Sequence, residues 1–225
     1  MTSVDAVLNQ LIELNEIDWK ELVPGVAGKR VWADAASRRT AMFLRFSPGA
    51  VLPRHAHEGD ELVYVLDGCV ADEYAAVTAG NVGYRPNGCT HTVRSPTGAT
   101  AFAVVTGGAV PRADDVTGGP PSEVFDLATT AWRGAGPGLR WKRYWADPAA
   151  GRMATVMRWE PGAEVPAHRH VGDELAFVIE GALEDESGMM RPGILGYRPN
   201  GCAHQVRSPY GATVLSYLWG DVEPI

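Results

Sequence analysis

The apolar residues of this chain fall into short runs that Pro and Gly separate. Typical runs are TAMFLRF at 40–46, ELVYVL at 61–66 and TAFAVVT at 100–106. Runs of about 4–8 residues, with turn residues about every ten positions, are typical of strands in an all-β sandwich or barrel. The pattern therefore predicts an all-β protein with little helix.

One segment near the N-terminus follows a different pattern. Behind Ser3, the helical spacing i, i+3, i+4, i+7, i+8 is met by Val4, Val7, Leu8, Leu11 and Ile12. This spacing predicts a short amphipathic helix. Residues 11–14, however, align with the strand-like VFDL at 124–127, so we limit the predicted helix to residues 3–11.

The sequence matches itself at an offset of 113 residues. YRPNGCTHTVRSPTGAT at 84–100 is identical to YRPNGCAHQVRSPYGAT at 197–213 in 14 of 17 positions. FSPGAVLP at 46–53 likewise aligns with WEPGAEVP at 159–166. This period is too long for a solenoid repeat, and it indicates a tandem duplication of one domain.

A Gly-, Pro- and Asp-rich segment without apolar periodicity, TGGAVPRADDVTGGPPSE at 106–123, lies between the two copies. Such composition is typical of a linker. We place the N-terminal domain, with its short extension, at 1–111, the linker at 112–123 and the C-terminal domain at 124–225.

The composition limits where in the cell the protein can function and which partners it can bind. The net charge of −7 argues against a nucleic-acid or anionic-membrane surface. The sequence has neither a signal peptide nor an apolar run long enough to span a bilayer. Three cysteines, at positions 69, 89 and 202, do not form a disulfide framework. We expect a cytoplasmic bacterial protein with a small-molecule partner, and a homodimer is compatible with its β-rich surface.

The six histidines all belong to one duplicated pattern. His55 and His57 are two residues apart, with one residue between them, so a strand directs both side chains to one face. After a short turn, Glu61 can return beside them, and His91 follows on a later segment. The second copy repeats the pattern with His168, His170, Glu174 and His204. The alternative, histidines in surface turns, does not explain why the whole set recurs.

Neutral imidazoles and a carboxylate are ligands for Zn, Fe, Mn or Ni. The sequence thus predicts two divalent metal sites per chain, each with positions left for water, O₂ or a chelating substrate. Cys89 and Cys202 lie two residues before the last histidine, which makes them candidates to contact the ligands or to act as redox-sensitive thiols. Small buried fillers of a turn are the alternative for both. We also predict that Arg94 and Arg207 pair with the duplicated acids, such as Asp72 and Asp185. The alternative, that they bind a carboxylate substrate, would need a bulge in the strand, because they have the opposite parity to the histidine.

At these residues the sequence resembles the cupin superfamily. The first cupin motif matches Gly49, His55, His57, Glu61 and Gly68, and then Gly162, His168, His170, Glu174 and Gly181. The second motif matches Gly80, Pro86, Gly88 and His91, and then Gly193, Pro199, Gly201 and His204. Ser95 and Ser208 stand where the family usually has Asn. The resemblance implies a bicupin, with two tandem jelly-roll β-barrels related by approximate two-fold symmetry.

Finer features are similar to the ChrR-type cupins, a domain fused to zinc-dependent anti-sigma factors. They include LPRHAH before the first motif and HTVRS or HQVRS after the last histidine. The sigma-binding module of such regulators needs its own His/Cys zinc site. No His or Cys precedes residue 55, so the resemblance does not carry sigma-factor binding with it.

Two classes of function follow as expectations. The first is a metal-dependent dioxygenase-type oxidoreductase for small carbonyl or phenolic compounds, and a redox-neutral lyase or isomerase fits the same ligands. The second is a non-enzymatic, metal-dependent sensor or regulator of the anti-sigma type, for which a sigma factor would be the partner. No nucleophile–His–acid set supports covalent catalysis, because every histidine belongs to the duplicated pattern.

Overall fold

The computed structural model describes residues 9–113 and 119–225. Strands dominate both copies of the repeat, as the apolar pattern predicts. Among the described residues, the only helical turns are two short 3₁₀ segments, Leu14–Glu16 and Pro148–Ala150. No helix in the part of the chain that is described is long and apolar enough to cross a membrane.

The strands of the first repeat follow the predicted runs closely. In chain order they are β1 (Gln10–Glu13), β2 (Lys20–Val23), β3 (Val26–Asp34), β4 (Arg39–Phe46), β5 (Ala50–His57), β6 (Glu61–Ala71), β7 (Ala76–Thr78), β8 (Val82–Arg85), β9 (Thr90–Ser95), β10 (Ala99–Thr106) and β11 (Ala109–Pro111).

The second repeat has corresponding strands, with one fusion. They are β12 (Glu123–Phe125), β13 (Arg133–Gly136), β14 (Leu139–Asp147), β15 (Arg152–Trp159), β16 (Glu164–Gly181), β17 (Leu183–Asp185), β18 (Gly188–Met190), β19 (Ile194–Arg198), β20 (Ala203–Arg207) and β21 (Ala212–Pro224). Strand β16 runs unbroken through the region that β5 and β6 cover as two strands in the first repeat.

The chain divides into two compact units. The N-terminal unit, Ile17–Thr129, is an antiparallel sheet in the order β11-β5-β9-β6-β10-β4-β3-β2, with β7 and β8 on β6 and with β12 on β8. The C-terminal unit contains Thr130–Ile225 and the described residues 9–16. Its order is β13-β14-β15-β21-β16-β20-β17-β18, and β19 lies between β1 and β16.

These units differ from the boundaries drawn on the sequence, because each unit includes the first strand of the other repeat. β1 pairs antiparallel with β19, and β12 pairs antiparallel with β8. Residues 9–16 therefore belong with the second repeat, and residues 123–129 belong with the first. The predicted linker 112–123 includes 114–118, which lie outside the described residues.

The predicted helix over residues 3–11 is wrong where the structure describes it. Gln10 and Leu11 lie in β1, and residues 3–8 are outside the described part of the chain. The reason is the edge of β19, which offers four consecutive backbone partners to Gln10–Glu13. Pairing with a sheet edge satisfies the backbone better than a short isolated helix in water.

Each unit has its own apolar core on the inner face of its sheet. Phe46 and Val65 lie in the core of the N-terminal unit, and Trp159 and Val178 occupy the corresponding positions of the C-terminal unit. The cores lie on the faces of the sheets that also carry the predicted metal ligands, so the ligands are held by packed strands rather than by loops.

Candidate metal centres

The strand pairing of the N-terminal unit brings its three histidines together. His55 and His57 are two residues apart on β5, so they share a face. Strand β9 lies antiparallel to β5 and places His91 directly opposite His55. The register shifts between Leu52 and His55, which reorients the end of β5. All three side chains are buried.

The ring nitrogens of these histidines converge on one point. His91 Nε2 lies 2.9 Å from His57 Nε2 and 3.1 Å from His55 Nε2. Two of the three outer ring nitrogens are engaged elsewhere, since His55 Nδ1 lies 2.8 Å from the Pro53 carbonyl and His91 Nδ1 lies 3.0 Å from Asp72 Oδ2. A carbonyl and a carboxylate only accept, so in both rings Nδ1 carries the hydrogen and the Nε2 lone pair faces inward.

The C-terminal unit repeats this arrangement. His168 lies opposite His204 on the paired strands β16 and β20, and His170 Nε2 lies 3.0 Å from His204 Nε2. His168 Nδ1 donates to the Pro166 carbonyl at 2.9 Å, and His204 Nδ1 donates to Asp185 at 3.1 Å. One difference is exposure: His168 is partly exposed, whereas its counterpart His55 is buried.

A divalent transition metal fits both triads. In each triad, one ligand atom from every histidine lies within 4.8 Å of the others. Lone pairs that face one another at about 3 Å repel unless a proton or a cation lies between them. Two ligands bound at ~2.1 Å and at right angles would be about 3.0 Å apart, which agrees with the separations of 2.9–3.1 Å in the structure.

Burial also keeps the histidines in the form that binds metal. It lowers the pKa of His57 and of His170 to about 4, from the usual value of 6.5. Both rings are therefore neutral at pH 7, with an acceptor nitrogen available to a metal ion.

The two glutamates lie beside the triads. Glu61 Oε2 is 3.7 Å from His57 Nε2, and Glu174 Oε2 is 3.8 Å from His170 Nε2. The sequence-predicted sets are thus brought together in both units, with each glutamate at the margin of its histidine triad. Glu61 lies at the start of β6, and Glu174 lies inside the continuous β16.

An arginine that the sequence analysis missed lies next to each glutamate. Arg85 is opposite Glu61 on β8, and Arg198 is opposite Glu174 on β19. The guanidinium of Arg198 lies 3.6 Å from Glu174 and 3.5 Å from Asp185. Burial acts to raise the pKa of Glu174, but Arg198, followed by His170, outweighs it and lowers the pKa. The duplicated YRPNG motif contained this signal, because its arginine precedes the last ligand by six residues in both copies.

The predicted partners of Asp72 and Asp185 are wrong. Asp72 pairs with Arg85 at 3.4 Å and with His91, and Asp185 makes the equivalent contacts. Arg207 instead pairs with Glu184 at 2.8 Å, on the surface. The parity of the strand explains this, since an odd separation from His204 turns Arg207 to the opposite face.

Both aspartates are ionised acceptors for a histidine of the triad. Burial acts to raise the pKa of Asp72, but the hydrogen bond from His91, with backbone donors and Arg85, holds it well below its usual range. The balance in Asp185 is similar, and its pKa is lowered. A carboxylate in this position orients the imidazole and increases its basicity toward a metal.

The candidate thiols are buried and protonated at neutral pH. Burial raises the pKa of Cys89 to about 11, and it also raises the pKa of Cys202. Cys202 Sγ donates to the Asn9 side chain, and Asn9 in turn contacts both Asp185 and His204 Nδ1. Cys202 is thus two contacts from His204, and its role in the site stays a prediction.

The two triads have different surroundings. In the C-terminal unit, a mostly apolar cavity of about 220 Å³ reaches all three histidines and Glu174, and it extends to the exposed residues Ala135 and Val222. In the N-terminal unit, the cavity at His55 and Glu61 measures about 20 Å³, and no exposed residue lines it. The smaller volume holds about one water molecule.

Two curled antiparallel sheets, each with a His-x-His strand, a following Glu and a third His on the partner strand, define the protein as a bicupin. The model of the ChrR cupin-like domain family matches residues 8–111 and again residues 121–220. The chain belongs to this family, which confirms the resemblance seen in the motifs. No curated protein matches the sequence.

Solved structures support the fold. A mutant of Bacillus subtilis oxalate decarboxylase matches with a TM-score of 0.75 and 15% identity, over 97% of this chain and 80% of that chain. The same enzyme at pH 4.6 matches with a TM-score of 0.71 and 16% identity, over 97% and 79%. A third structure, from work on its Mn(II) centres, has a TM-score of 0.72 and 16% identity, over 97% and 80%. At this identity the likeness shows the bicupin fold.

Proposed function

We propose that this bicupin is a metal-dependent oxidoreductase that acts on a small carbonyl or phenolic compound. The observation that carries the proposal is the apolar cavity that ends on the His168, His170 and His204 triad. Convergent imidazoles at the inner end of an apolar pocket are typical of a site where an ion binds the polar end of an organic molecule.

We assign the metal ligands as two sets of four: His55, His57, Glu61 and His91, and His168, His170, Glu174 and His204. The support for the histidines is the inward-facing Nε2 lone pairs and their spacing near 3 Å. The support for the glutamates is their distance of 3.7–3.8 Å from a ligand nitrogen. The ion, whether Fe, Mn, Ni or Zn, would supply Lewis acidity and, for Fe or Mn, one-electron chemistry with O₂.

The residues around the triad have separate tasks. Asp185 holds the His204 ring in the tautomer that directs Nε2 inward. Arg198 keeps Glu174 ionised, so its carboxylate can bind the ion or accept a proton from a substrate hydroxyl. The apolar cavity walls exclude water from the substrate's body. A redox-neutral lyase or isomerase would use the same groups without O₂.

The family match supports a second candidate, a non-enzymatic sensor. ChrR-like cupin domains account for nearly the whole chain, and in this candidate metal binding would regulate a protein partner such as a sigma factor. The cavity favours the enzyme, since a sensor of the metal alone has no need of an apolar pocket of about 220 Å³.

Elemental analysis of the untagged protein, purified without added metal, tests the proposal first. We expect about two Fe or Mn per chain, and then O₂ uptake with a panel of catechols, phenols and β-dicarbonyl compounds. Glu174→Gln should retain metal to a large extent and should lose turnover. Two Zn per chain with no O₂ uptake would overturn the oxidoreductase and favour the sensor, and absence of metal would overturn the ligand assignment.

A further inference from the structure

The two metal centres are equal in their ligands but unequal in the space around them. The cavity volumes, about 220 Å³ in the C-terminal unit and about 20 Å³ in the N-terminal unit, differ about tenfold. The exposure of the first histidine follows the same order, since His168 is partly exposed and His55 is buried. Neither difference is visible in the ligand motifs.

Side chains of the N-terminal unit pack closely at positions whose counterparts line the large cavity of the C-terminal unit. Leu22 and Met42 approach Gly28 so closely that a Cβ built on this glycine would lie 3.0 Å from each of them. At the equivalent positions the C-terminal unit has Ala135, Thr155 and Trp141. Trp141 becomes a wall of the cavity, while the short side chains of Ala135 and Thr155 leave the space beside it open.

A second difference in residue size between the two units lies deeper, next to the metal ligands. Val63 lines the small cavity of the N-terminal unit, and Ala176 lines the large cavity at the corresponding position on β16. Ala176 is buried, two residues after Glu174 on the same strand, so its methyl group and the carboxylate share a face. The smaller residue leaves room beside the triad.

The walls of the large cavity also indicate what it holds. Trp141, Met153, Met157 and Trp159 all line it. Aromatic rings and polarisable thioethers pack well against a flat aromatic ligand. A volume of about 220 Å³ has room for one substituted aromatic ring beside the triad.

We infer that only the C-terminal centre binds an organic ligand, a small aromatic molecule with an oxygen head group directed at the His168, His170 and His204 triad, and that the N-terminal centre is structural. The inference rests on the proposed function for the presence of the ion. It goes further by assigning the ligand to one unit and by naming its chemical class.

The test measures the binding of 4-nitrocatechol, a coloured chelating phenol, to the zinc-loaded full-length protein. Binding is measured by calorimetry and by the change in absorbance of the probe. Zinc removes O₂ chemistry, so binding is measured apart from turnover. We expect one probe per chain with two zinc ions per chain. Ala176→Val, which copies Val63, should weaken probe binding, and Ala176→Leu should weaken it further, by roughly 5- to 100-fold. Both variants should retain two zinc ions.

Val63→Leu is the matched control, because it adds volume at the same position of the other unit. It should leave the probe affinity and the stoichiometry unchanged. If Ala176→Leu does not fold, the wild-type stoichiometry and the pair Ala176→Val and Val63→Leu still decide the question.

The outcomes separate the two claims. Two probes per chain, no probe bound to a protein with two zinc ions, or weaker binding in Val63→Leu than in Ala176→Val would overturn the inference alone. Failure to load zinc would overturn the ligand assignment and the inference with it. One probe per chain without O₂ uptake by the Fe or Mn protein would overturn only the oxidoreductase.

Discussion

The side-chain amide of Asn9 donates a hydrogen bond of 2.6 Å to Oδ2 of Asp185, the same oxygen that accepts from His204 Nδ1. Asn9 directly precedes β1, so a strand from the first repeat fixes a carboxylate in the second. The N-terminal unit has a related contact just before β12, where Ser122 Oγ donates to Oδ1 of Asp72 at 3.0 Å while His91 Nδ1 donates to Oδ2. In each unit, the residue just before the strand that comes from the other repeat thus supports the aspartate that orients the third histidine of the triad.

We expect Asp185→Asn to weaken metal binding in the C-terminal unit by about 10- to 100-fold, and Asp72→Asn to do the same in the N-terminal unit. The amide lacks the negative charge that keeps the hydrogen on Nδ1 of His204 or His91. That hydrogen position leaves Nε2 free to bind the metal. Competition with a coloured chelator measures the affinity. Asp147→Asn is the control, because this aspartate pairs with Arg152 on β15, outside the triad. An equal loss of metal affinity in Asp147→Asn would contradict a specific role for Asp185 and Asp72.

Asn9→Ala should reduce metal affinity in the C-terminal unit by about 3- to 10-fold and leave the N-terminal unit unchanged, because Asn9 contacts Asp185 and His204 of the C-terminal triad. Ser122→Ala should have the reverse selectivity. Metal titrations of both variants resolve the two affinities. Equal weakening of both sites by either variant would show a general loss of stability instead, and thermal unfolding checks this directly.

The stability of the metal-free protein should fall as the pH drops from 7 to 5. Folding holds His57 and His170 neutral, with pKa values of about 4, whereas the unfolded chain takes up protons near 6.5. The unfolded state therefore binds more protons across this window, and the free energy of unfolding decreases by roughly 2 kcal/mol for each histidine. Urea unfolding at pH 7, 6 and 5 measures it.

The double variant His57→Gln, His170→Gln should flatten this pH dependence. Asp34→Asn is the control, because hydrogen bonds from Ser37 and Arg39 lower the pKa of Asp34 to about 2. The contribution of Asp34 to the free energy of unfolding is complete above the pKa of this group in the unfolded chain. It is lost only as the pH falls below about 4. A slope between pH 7 and 5 that persists in the double variant would exclude these histidines as its source.

Cys69 should react with a disulfide reagent such as DTNB at pH 7.5 well before Cys89 and Cys202. Cys69 is partly exposed, whereas burial raises the pKa values of the other two thiols. We expect one fast thiol per chain, and Cys69→Ala should remove it. A fast phase that remains in Cys69→Ala would instead support the redox-sensitive role predicted for the thiols near the triads.

The local sequence determined the all-β class, the duplication and the eight candidate ligands. Strand alternation places His55 and His57 on one face whatever the rest of the chain does, and the repeat at 113 residues shows that the pattern is not accidental. A pattern that depends only on residues close together in the chain can be recognised from the sequence alone.

Only the tertiary structure decided which strands pair and how much space remains between them. Backbone hydrogen bonds are the same whatever the side chains are. Nothing in QLIE at 10–13 therefore indicates that its partner is β19 of the other repeat. The same holds for Arg198, whose role depends on the strand opposite Glu174. The cavity beside Ala176 depends on side chains from several distant strands that pack together, and their summed volumes become defined only when those strands meet.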